Sequence, residues 1–349
     1  MSRMPVVVIG AGVIGRTHID RALRHGEVSL AGIADPAPGA RVLAEAAGVA
    51  WDADFEALLG RVKPAAAVVA TPNATHAEIA VRCIGRGVAP LVEKPIAHDL
   101  AGARRIRDAG AASGVPVLVG HQRRHNRAAR RARKIIAAGE LGRPVCATVL
   151  ATWLKPDAYF EASWRREPGG GPILINLIHD LDLMRFLFGE IDSVQAFVSS
   201  AVRGHAVEDS AAVIARFANG ALATFTVSDT ATAPWNYDLA SGEAERFPRQ
   251  DVDAYFVSGT EGSLTLPRLE RWSYRERRGW EDPIVRERAA LHAACPYAEQ
   301  LRHLRALVEG REAPVCSADD ALGTLAAAMA VHEAARSGRP VSPQRNSMR

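Results

Sequence analysis

The first third of the chain alternates between short apolar runs and amphipathic stretches. Apolar runs cover residues 6–9, 28–34, 65–71, 89–93 and 115–120. The stretches 16–26, 74–87 and 99–114 between them have the residue pattern of helices. Strands that lack polar alternation and are separated by helices indicate a parallel sheet that is buried on both faces.

The pattern changes after Gly142. Longer strand-like segments follow with no helix between most of them, and "ANGA" and "GTEG" mark turns. These segments are 144–154, 193–202, 209–220, 221–230 and 252–266. Successive strands without helices predict an open, mostly antiparallel sheet in an α+β domain. A last helix, capped at Ser317 and running to about residue 337, is expected to return to the first domain.

A glycine-rich turn follows the first apolar run, in "VVVIGAGVIG". A strand, a G-x-G-x-x-G turn and a helix in this order form a phosphate-binding turn, with the pyrophosphate at the helix N-terminus. The sequence therefore predicts an α/β Rossmann domain over residues 1–125 and a second, α+β domain over 126–349. The turn residues expected to contact the dinucleotide are Gly10, Gly12, Val13, Ile14 and Gly15.

Asp35 ends the second apolar run, twenty residues after Gly15. A carboxylate at this place bonds the ribose hydroxyls and repels a 2′-phosphate. The pattern favours NAD over NADP, while Arg41 nearby keeps NADP as the alternative.

Composition adds limits rather than a function. The chain has 349 residues, of which 48% are apolar and 23% charged, and its net charge is +4. These values are typical of a soluble two-domain protein that binds neither nucleic acid nor membrane. The four cysteines are far apart and match no metal spacing, so we expect no metal site and a cytoplasmic location with reduced thiols.

Lysine is rare in this chain, and one of its four lysines is Lys94 in "PLVEKPIA". A lysine can exchange a proton when its pKa is lowered, whereas arginine stays protonated. Lys94 follows a strand of the parallel sheet, at the edge where ligands bind. The alternative is a lysine at a strand end that extends to solvent.

Five segments carry a resemblance to the Gfo/Idh/MocA family of oxidoreductases. They are "GAGVIG", "TPNATH", "EKPIA", "GHQRR" and "GGGPILINLIHDLDLMRFLFGE". The resemblance implies a dehydrogenase that moves a hydride between nicotinamide and a secondary hydroxyl of a sugar, polyol or cyclitol. It also implies self-association as a dimer or tetramer through the sheet of the second domain.

The resemblance assigns roles to individual residues. Lys94 and His179 are the implied catalytic residues, and both are expected to contact the substrate. The residues themselves, rather than the resemblance, suggest that Asn176 fixes an adjacent hydroxyl of the substrate and that Arg123 or Arg124 favours an anionic substrate group. The residues implied to line the cofactor, beyond the glycine turn and Asp35, are Thr71, Pro72, Asn73, His76, Glu93, Lys94, Gln122, Trp164 and Arg165.

One position departs from the family pattern. Many members have an aspartate four residues before the catalytic histidine, where this chain has Ile175 followed by Asn176. Asparagine can orient a hydroxyl but cannot take its proton. Asp180 and Asp182 are candidates for the missing carboxylate.

Several alternatives stay open at this point. His179 lies in an apolar helix, where a histidine can also be a core residue. The basic stretch 121–134 fits either a solvated helix face or, less well, a phosphate backbone. The loop 232–250 is a substrate lid, a subunit contact or disordered. The substrate is alternatively an acidic sugar, a dihydrodiol or a ring carboxylate, and the different class of function is a non-catalytic NAD sensor.

Overall fold

In the computed structural model, which describes residues 2–244, 246–288 and 294–344, the chain forms two compact units. The first contains Met1–His125 and Ala294–Leu325, and the second contains Asn126–Ala293 and Ala326–Arg349. Each unit has its own sheet.

The sheet of the first unit has six strands in the order β3-β2-β1-β4-β5-β6, and all its pairs are parallel. The strands are β1 Met4–Ile9, β2 Val28–Ala34, β3 Ala50–Asp52, β4 Ala66–Val69, β5 Ala89–Glu93 and β6 Leu118–Gly120. The predicted parallel sheet is confirmed. Because the order reverses between β1 and β4, the loops after these two strands diverge and leave a crevice at their carboxyl ends.

Helices connect these strands. They are α1 Val13–Arg24, α2 Pro38–Ala47, α3 Phe55–Val62, α4 His76–Gly85 and α5 Leu100–Ser113. The side chain of Asp99 caps α5 by accepting a hydrogen bond from the backbone N–H of Gly102 at 2.7 Å. Such a cap satisfies an amide that the helix itself leaves unbonded.

The second unit contains an eight-stranded sheet in the order β14-β13-β12-β11-β7-β10-β9-β8. The strands are β7 Pro144–Thr152, β8 Ile191–Ser199, β9 Ser210–Phe217, β10 Leu222–Ser228, β11 Tyr255–Gly259, β12 Gly262–Leu266, β13 Glu270–Ser273 and β14 Val285–Arg288. Among the described strands of this second sheet, only β7 and β10 pair in parallel, so the predicted mostly antiparallel sheet is confirmed.

One face of this sheet is buried and the other is open. On β9, Val213 and Phe217 are buried, whereas Ile214 between them is exposed. The alternation follows from the two-residue period of a strand. The buried face packs with α6 Arg127–Ala137 and α7 Ile178–Phe188 in one apolar core.

The remaining helices are α8 Tyr237–Ser241, α9 Pro296–Val308 and α10 Ala318–Ser337. Leu301 and Leu304 of α9 belong to the core of the first unit. Helix α10 begins in the first unit and continues in the second. Among the described residues, no helix is both long enough and apolar enough to cross a bilayer.

The loop 232–250 contains α8, which Asn236 caps through the backbone N–H of Asp238. Tyr237 is buried in the core of the second unit, and Trp235 is half exposed. Glu245 of this loop and residues 345–349 at the chain end lie outside the described residues. The role of the loop stays open.

Candidate active site

The glycine turn after β1 is shaped by two close approaches. Gly10 has a φ of +94°, and a Cβ on it would lie 2.6 Å from the carbonyl oxygen of Ala70. A Cβ on Gly15 would lie 1.9 Å from the carbonyl oxygen of Gly10. Neither position can carry a side chain without moving the backbone, so the packing of the turn requires glycine at both.

Gly12 differs from these two glycines because a Cβ there would meet nothing within 4 Å. It precedes α1, which has no side-chain cap at its N-terminus, and the next residue, Val13, is exposed. Unbonded amides at a helix N-terminus beside open space bind anions. These residues fit the pyrophosphate of a dinucleotide.

Asp35 lies directly after β2 and is half-buried. Its Oδ2 accepts a hydrogen bond from the backbone N–H of Ala11 at 2.7 Å, and its Oδ1 accepts one from Ala37 at 2.7 Å. A carboxylate has about four acceptor sites, so each oxygen keeps capacity for a ribose hydroxyl. Arg41, the residue that kept NADP open, donates to Glu45 at 2.9 Å, an arrangement that favours NAD.

Lys94 follows β5 and is backed by a buried ion pair. The Nε2 of His18, on α1, lies 2.7 Å from Oε1 of Glu93, and both side chains are buried. The other oxygen, Oε2, accepts a hydrogen bond from the backbone N–H of Lys94 at 3.2 Å. Gly120 makes room for this carboxylate, since a Cβ there would lie 2.9 Å from Cδ of Glu93.

The pKa of Glu93 is lowered in this environment. Burial by itself raises the pKa, but the hydrogen bond and charge of His18, the charge of Lys94 and the backbone N–H of Lys94 outweigh it. Glu93 is therefore a carboxylate that holds the backbone of Lys94. Its predicted contact with the cofactor stays a prediction.

His76 links the loops after β4 and β5. Its Nε2 lies 2.8 Å from the carbonyl oxygen of Thr71, and its Nδ1 lies 2.9 Å from that of Pro95. Two carbonyl acceptors favour a protonated ring, yet burial has the larger effect and lowers the pKa of His76. A neutral ring donates to only one of the two carbonyls. His76 thus positions the turn that was predicted to line the cofactor.

The other residues of that turn stay at its surface. Pro72 is exposed, and Asn73 begins a short 3₁₀ turn that ends at Thr75. The hydroxyl oxygens of Thr75 and Thr71 lie 2.8 Å apart. The turn follows β4 at the crevice beside β1, where a dinucleotide binds in sheets of this order.

Gln122 and Arg124 lie in a 3₁₀ turn after β6 and are buried. The guanidinium of Arg124 donates to the carbonyl of Val315 at 2.9 Å and lies 3.4 Å from a carboxylate oxygen of Asp320. These contacts stay within the first unit. The predicted roles of Gln122 with the cofactor and Arg124 with the substrate remain untested.

The segment that carries His179 begins in the second unit with three glycines and one π-helical turn. A Cβ on Gly171 would lie 2.3 Å from Oε1 of Glu208, and this oxygen accepts the backbone N–H of Ile173 at 3.0 Å. The π-helical turn spans Ile173–Leu177 and leads directly into α7. Such turns widen the helix and often occur at functional sites.

Asn176 lies in the π-helical turn, and His179 lies three residues further along, in the first turn of α7. Asn176 is buried, whereas His179 is half-buried. Asp180 accepts a hydrogen bond from the buried hydroxyl of Tyr255, and Asp182 is buried. The hydrogen bond to Tyr255 gives Asp180 a structural contact, and neither aspartate is established as the replacement for the missing carboxylate.

Lys155 is a residue of this site that the sequence reasoning did not select. It lies shortly after β7 and is buried, with Nζ donating to Oδ1 of Asn176 at 2.8 Å. Nζ also lies 3.5 Å from Oδ2 of Asp229 and 4.8 Å from the ring centre of Tyr159. The rarity of lysine was a signal for Lys155 as much as for Lys94.

Trp164 and Arg165 lie in a 3₁₀ turn in the second unit. Trp164 is 51% exposed, and the guanidinium of Arg165 stacks 3.9 Å from the ring centre of Tyr159. A Cβ on Gly170 would lie 2.2 Å from the carbonyl oxygen of Trp164, so the glycine segment fixes this turn. Their contact with the cofactor stays a prediction.

Two family models match the chain. Residues 4–121 match a model described as an oxidoreductase family with an NAD-binding Rossmann fold, and residues 129–265 match a GFO/IDH/MocA C-terminal domain.

Three known proteins are similar to the chain over nearly its whole length. The 1,5-anhydro-D-fructose reductase of Ensifer adhaerens is 30% identical over 338 residues, which are 95% of this chain and 96% of the relative. The scyllo-inositol 2-dehydrogenase (NAD(+)) of Bacillus subtilis is 26% identical, covering 96% and 94%. The WlbA dehydrogenase of Bordetella pertussis, solved with NADH and UDP-GlcNAcA, has a TM-score of 0.80 at 23% identity, covering 98% and 99%.

Replacing Glu93 with Gln should remove a stabilisation that depends on pH. Because the folded pKa of Glu93 lies below its ordinary value of 4.5, its contribution is fully present above that value and is lost as pH falls through the folded pKa. We expect the variant to lose about 1–3 kcal/mol of unfolding free energy at neutral pH. The difference in unfolding free energy between the parent and the variant should become smaller at acidic pH. Urea unfolding followed by circular dichroism at neutral and acidic pH measures both values.

The matched control for this variant is Glu78→Gln, an exposed glutamate of the same unit. It should change the unfolding free energy little at either pH. If Glu93→Gln loses the same unfolding free energy at both pH values, the assignment of an ionised buried Glu93 is contradicted.

Proposed function

The chain belongs to the Gfo/Idh/MocA family of NAD-binding oxidoreductases, and from this premise we propose that it is a dehydrogenase or reductase of sugars, polyols or cyclitols. It would move a hydride between nicotinamide and a secondary hydroxyl or the corresponding ketone. The names of the two curated relatives, a reductase of anhydrofructose and a dehydrogenase of scyllo-inositol, support this substrate class.

The observation that carries the proposal is the arrangement at the carboxyl edge of the first sheet. The open glycine turn after β1 and Lys94 after β5 lie at the same edge, with Asp35 after β2. His18 reaches from the helix behind the glycine turn to the glutamate that holds the backbone of Lys94. Alcohol oxidation requires a group that accepts the proton of the hydroxyl. The amine of Lys94 can do so, and it follows a strand at the sheet edge whose glycine turn fits the cofactor.

The nicotinamide supplies the hydride acceptor or donor when NAD is bound. In our proposal, Lys94 takes the proton of the substrate hydroxyl, and returns it in the reverse direction. His179 donates a hydrogen bond to the same oxygen and stabilises the charge that develops on it. The family motifs support this pairing of Lys94 with His179. Asp35 would favour NAD over NADP through the ribose.

We also propose that the chain self-associates through the open face of the second sheet. Phe197, Ile214 and Leu222, on three adjacent strands, are 77%, 58% and 51% exposed. Large apolar side chains exposed at diagonal positions on one sheet face support an interaction site. The family resemblance supports a second copy of the chain as the partner.

A cytoplasmic location is proposed as well. All four cysteines are free thiols, and Cys146 is exposed on the second sheet. Exposed thiols persist in reducing compartments.

Lys94→Met is expected to abolish most turnover without loss of cofactor binding. Removal of a general acid or base typically costs 10²–10⁴-fold in rate. The measurement is NADH formation at mildly alkaline pH with NAD and NADP in parallel, over polyols, aldoses, uronates, inositols and cyclic dihydrodiols. Lys134→Met, which changes an exposed lysine of α6, is the control and should keep parental turnover.

Retention of more than about a tenth of the parental rate in Lys94→Met would contradict its role as acid or base. Tight NAD binding without turnover of any substrate in the panel would instead favour a non-catalytic NAD sensor.

Ile214→Asp should reduce the oligomer to a smaller species, because it places a charge in the centre of the open sheet face. Sedimentation velocity of the parent and the variant at equal concentration measures the effect. Val42→Asp, at an equally exposed apolar position of the first unit, is the control and should leave the oligomer unchanged. A parent protein that sediments as a monomer would contradict self-association.

A further inference from the structure

We propose that the substrate carries a carboxylate, or an equivalent oxygen that only accepts hydrogen bonds, which the amide NH₂ group of Asn176 binds while Lys155 positions that amide. The proposal rests on the proposed function, since it assigns a substrate class to the site beside His179. It favours an acidic sugar over a neutral polyol.

The first step is the orientation of the Asn176 amide. Lysine only donates hydrogen bonds, so the atom of Asn176 that lies 2.8 Å from Nζ of Lys155 is the oxygen. The amide therefore cannot rotate by half a turn without placing two donors against each other. Its NH₂ group points away from Lys155.

The second step is that Lys155 itself is held in place. Its ammonium lies 3.5 Å from Oδ2 of Asp229, whose other oxygen accepts a hydrogen bond from Nε of Arg203 at 3.1 Å. Asp229 is buried, and its carbonyl accepts a second hydrogen bond from Arg203 at 2.8 Å. Groups fixed by several partners keep one geometry, which is what substrate positioning requires.

The third step concerns the group that remains to bind a ligand. Within the described part of the chain, the NH₂ group of Asn176 makes no hydrogen bond, and the residue is only 8% exposed. The Nδ2 atom is not among the fully buried unbonded atoms of the described residues, so it is accessible to a ligand. His179 lies three residues further along the same segment. A substrate oxygen beside His179 is therefore the acceptor that fits.

The fourth step is the chemical preference of this donor. An aspartate at the start of the segment would accept a hydrogen bond and so select a hydroxyl, but Ile175 occupies that place and Asn176 follows it. A cation that bonds the amide oxygen polarises the amide and strengthens its N–H donors. Such donors bind a carboxylate better than a hydroxyl, because hydrogen bonds to charged acceptors are stronger.

The experiment compares pairs of ligands that differ in one group, hexuronates against the matching aldohexoses, as complexes with the NADH-loaded protein in isothermal titration calorimetry. We expect at least one uronate to bind about tenfold or more tightly than its aldose. Asn176→Asp should reverse this preference, because a carboxylate at position 176 repels the carboxylate of the uronate and accepts a hydrogen bond from a hydroxyl of the aldose. Asn219→Asp, at an exposed turn of the same unit, adds the same charge as a control.

Two further variants test the role of Lys155. Lys155→Met should weaken uronate binding because the amide is no longer fixed, and Lys155→Arg should restore part of it. A purely structural role would change the melting temperature and the affinities for uronate and aldose equally. Circular dichroism confirms that each variant is folded before its affinities are compared.

Failure of this inference and failure of the proposed function give different results. Equal binding of uronates and aldoses by the parent, or no uronate binding at all, overturns the carboxylate assignment even if neutral polyols are turned over. Uronate preference without any hydride transfer would support the assignment and count against the dehydrogenase. An unchanged preference in Asn176→Asp would overturn the inference.

Discussion

The close approach of Gly15 to the carbonyl of Gly10 is the constraint on which the first unit depends. Because a Cβ at Gly15 would come within 1.9 Å of that oxygen, α1 starts directly over the end of β1. Its first amides then face the open space at Gly12. The same placement puts His18, one turn after Gly15, inside the unit and within 2.7 Å of Glu93. The glycine turn and the backbone of Lys94 are thus connected through one helix.

This connection places the carboxylate of Glu93 in the interior of the unit, where it is stable only if its oxygens are bonded. Glu93 accepts hydrogen bonds from His18 and from the backbone of Lys94, so its charge is compensated on both oxygens. Gly120 of the neighbouring strand provides the space that the carboxylate needs. A larger residue there would displace Glu93 and with it the backbone that carries Lys94.

Local patterns predicted the elements of both sheets better than the contacts within the sites. The strand 89–93 and the two kinds of sheet follow from apolar runs and from the presence or absence of helices between them. The run 115–120 was predicted as a strand, but only Leu118–Gly120 pairs with β5, because strand length depends on the neighbour. The membership of α9 in the first unit follows from packing of Leu301 and Leu304, which no local pattern encodes.

The same distinction explains which site residues the sequence could identify. Lys94 and His179 lie in motifs, whereas His18 and Glu93 are 75 residues apart and meet only in the folded unit. Lys155 is 21 residues from Asn176 and 74 from Asp229, and the strand order of the second sheet brings them together. The π-helical turn at Ile173–Leu177 was also not predicted, since the sequence pattern of a π-turn is that of an ordinary helix.

Two of the four lysines in this arginine-rich chain lie in the candidate site, and each position would use a different property of the lysine side chain. At position 94 the proposed role would use a proton that can be exchanged. At position 155 it is a compact charge, because one nitrogen contacts an amide oxygen, a carboxylate and the face of Tyr159 at once. A planar guanidinium needs its partners in one plane and would satisfy only part of this set of directions. Lys155 thus serves as a point charge in the second unit, and the role proposed for Lys94 would use the second property of lysine, its exchangeable proton.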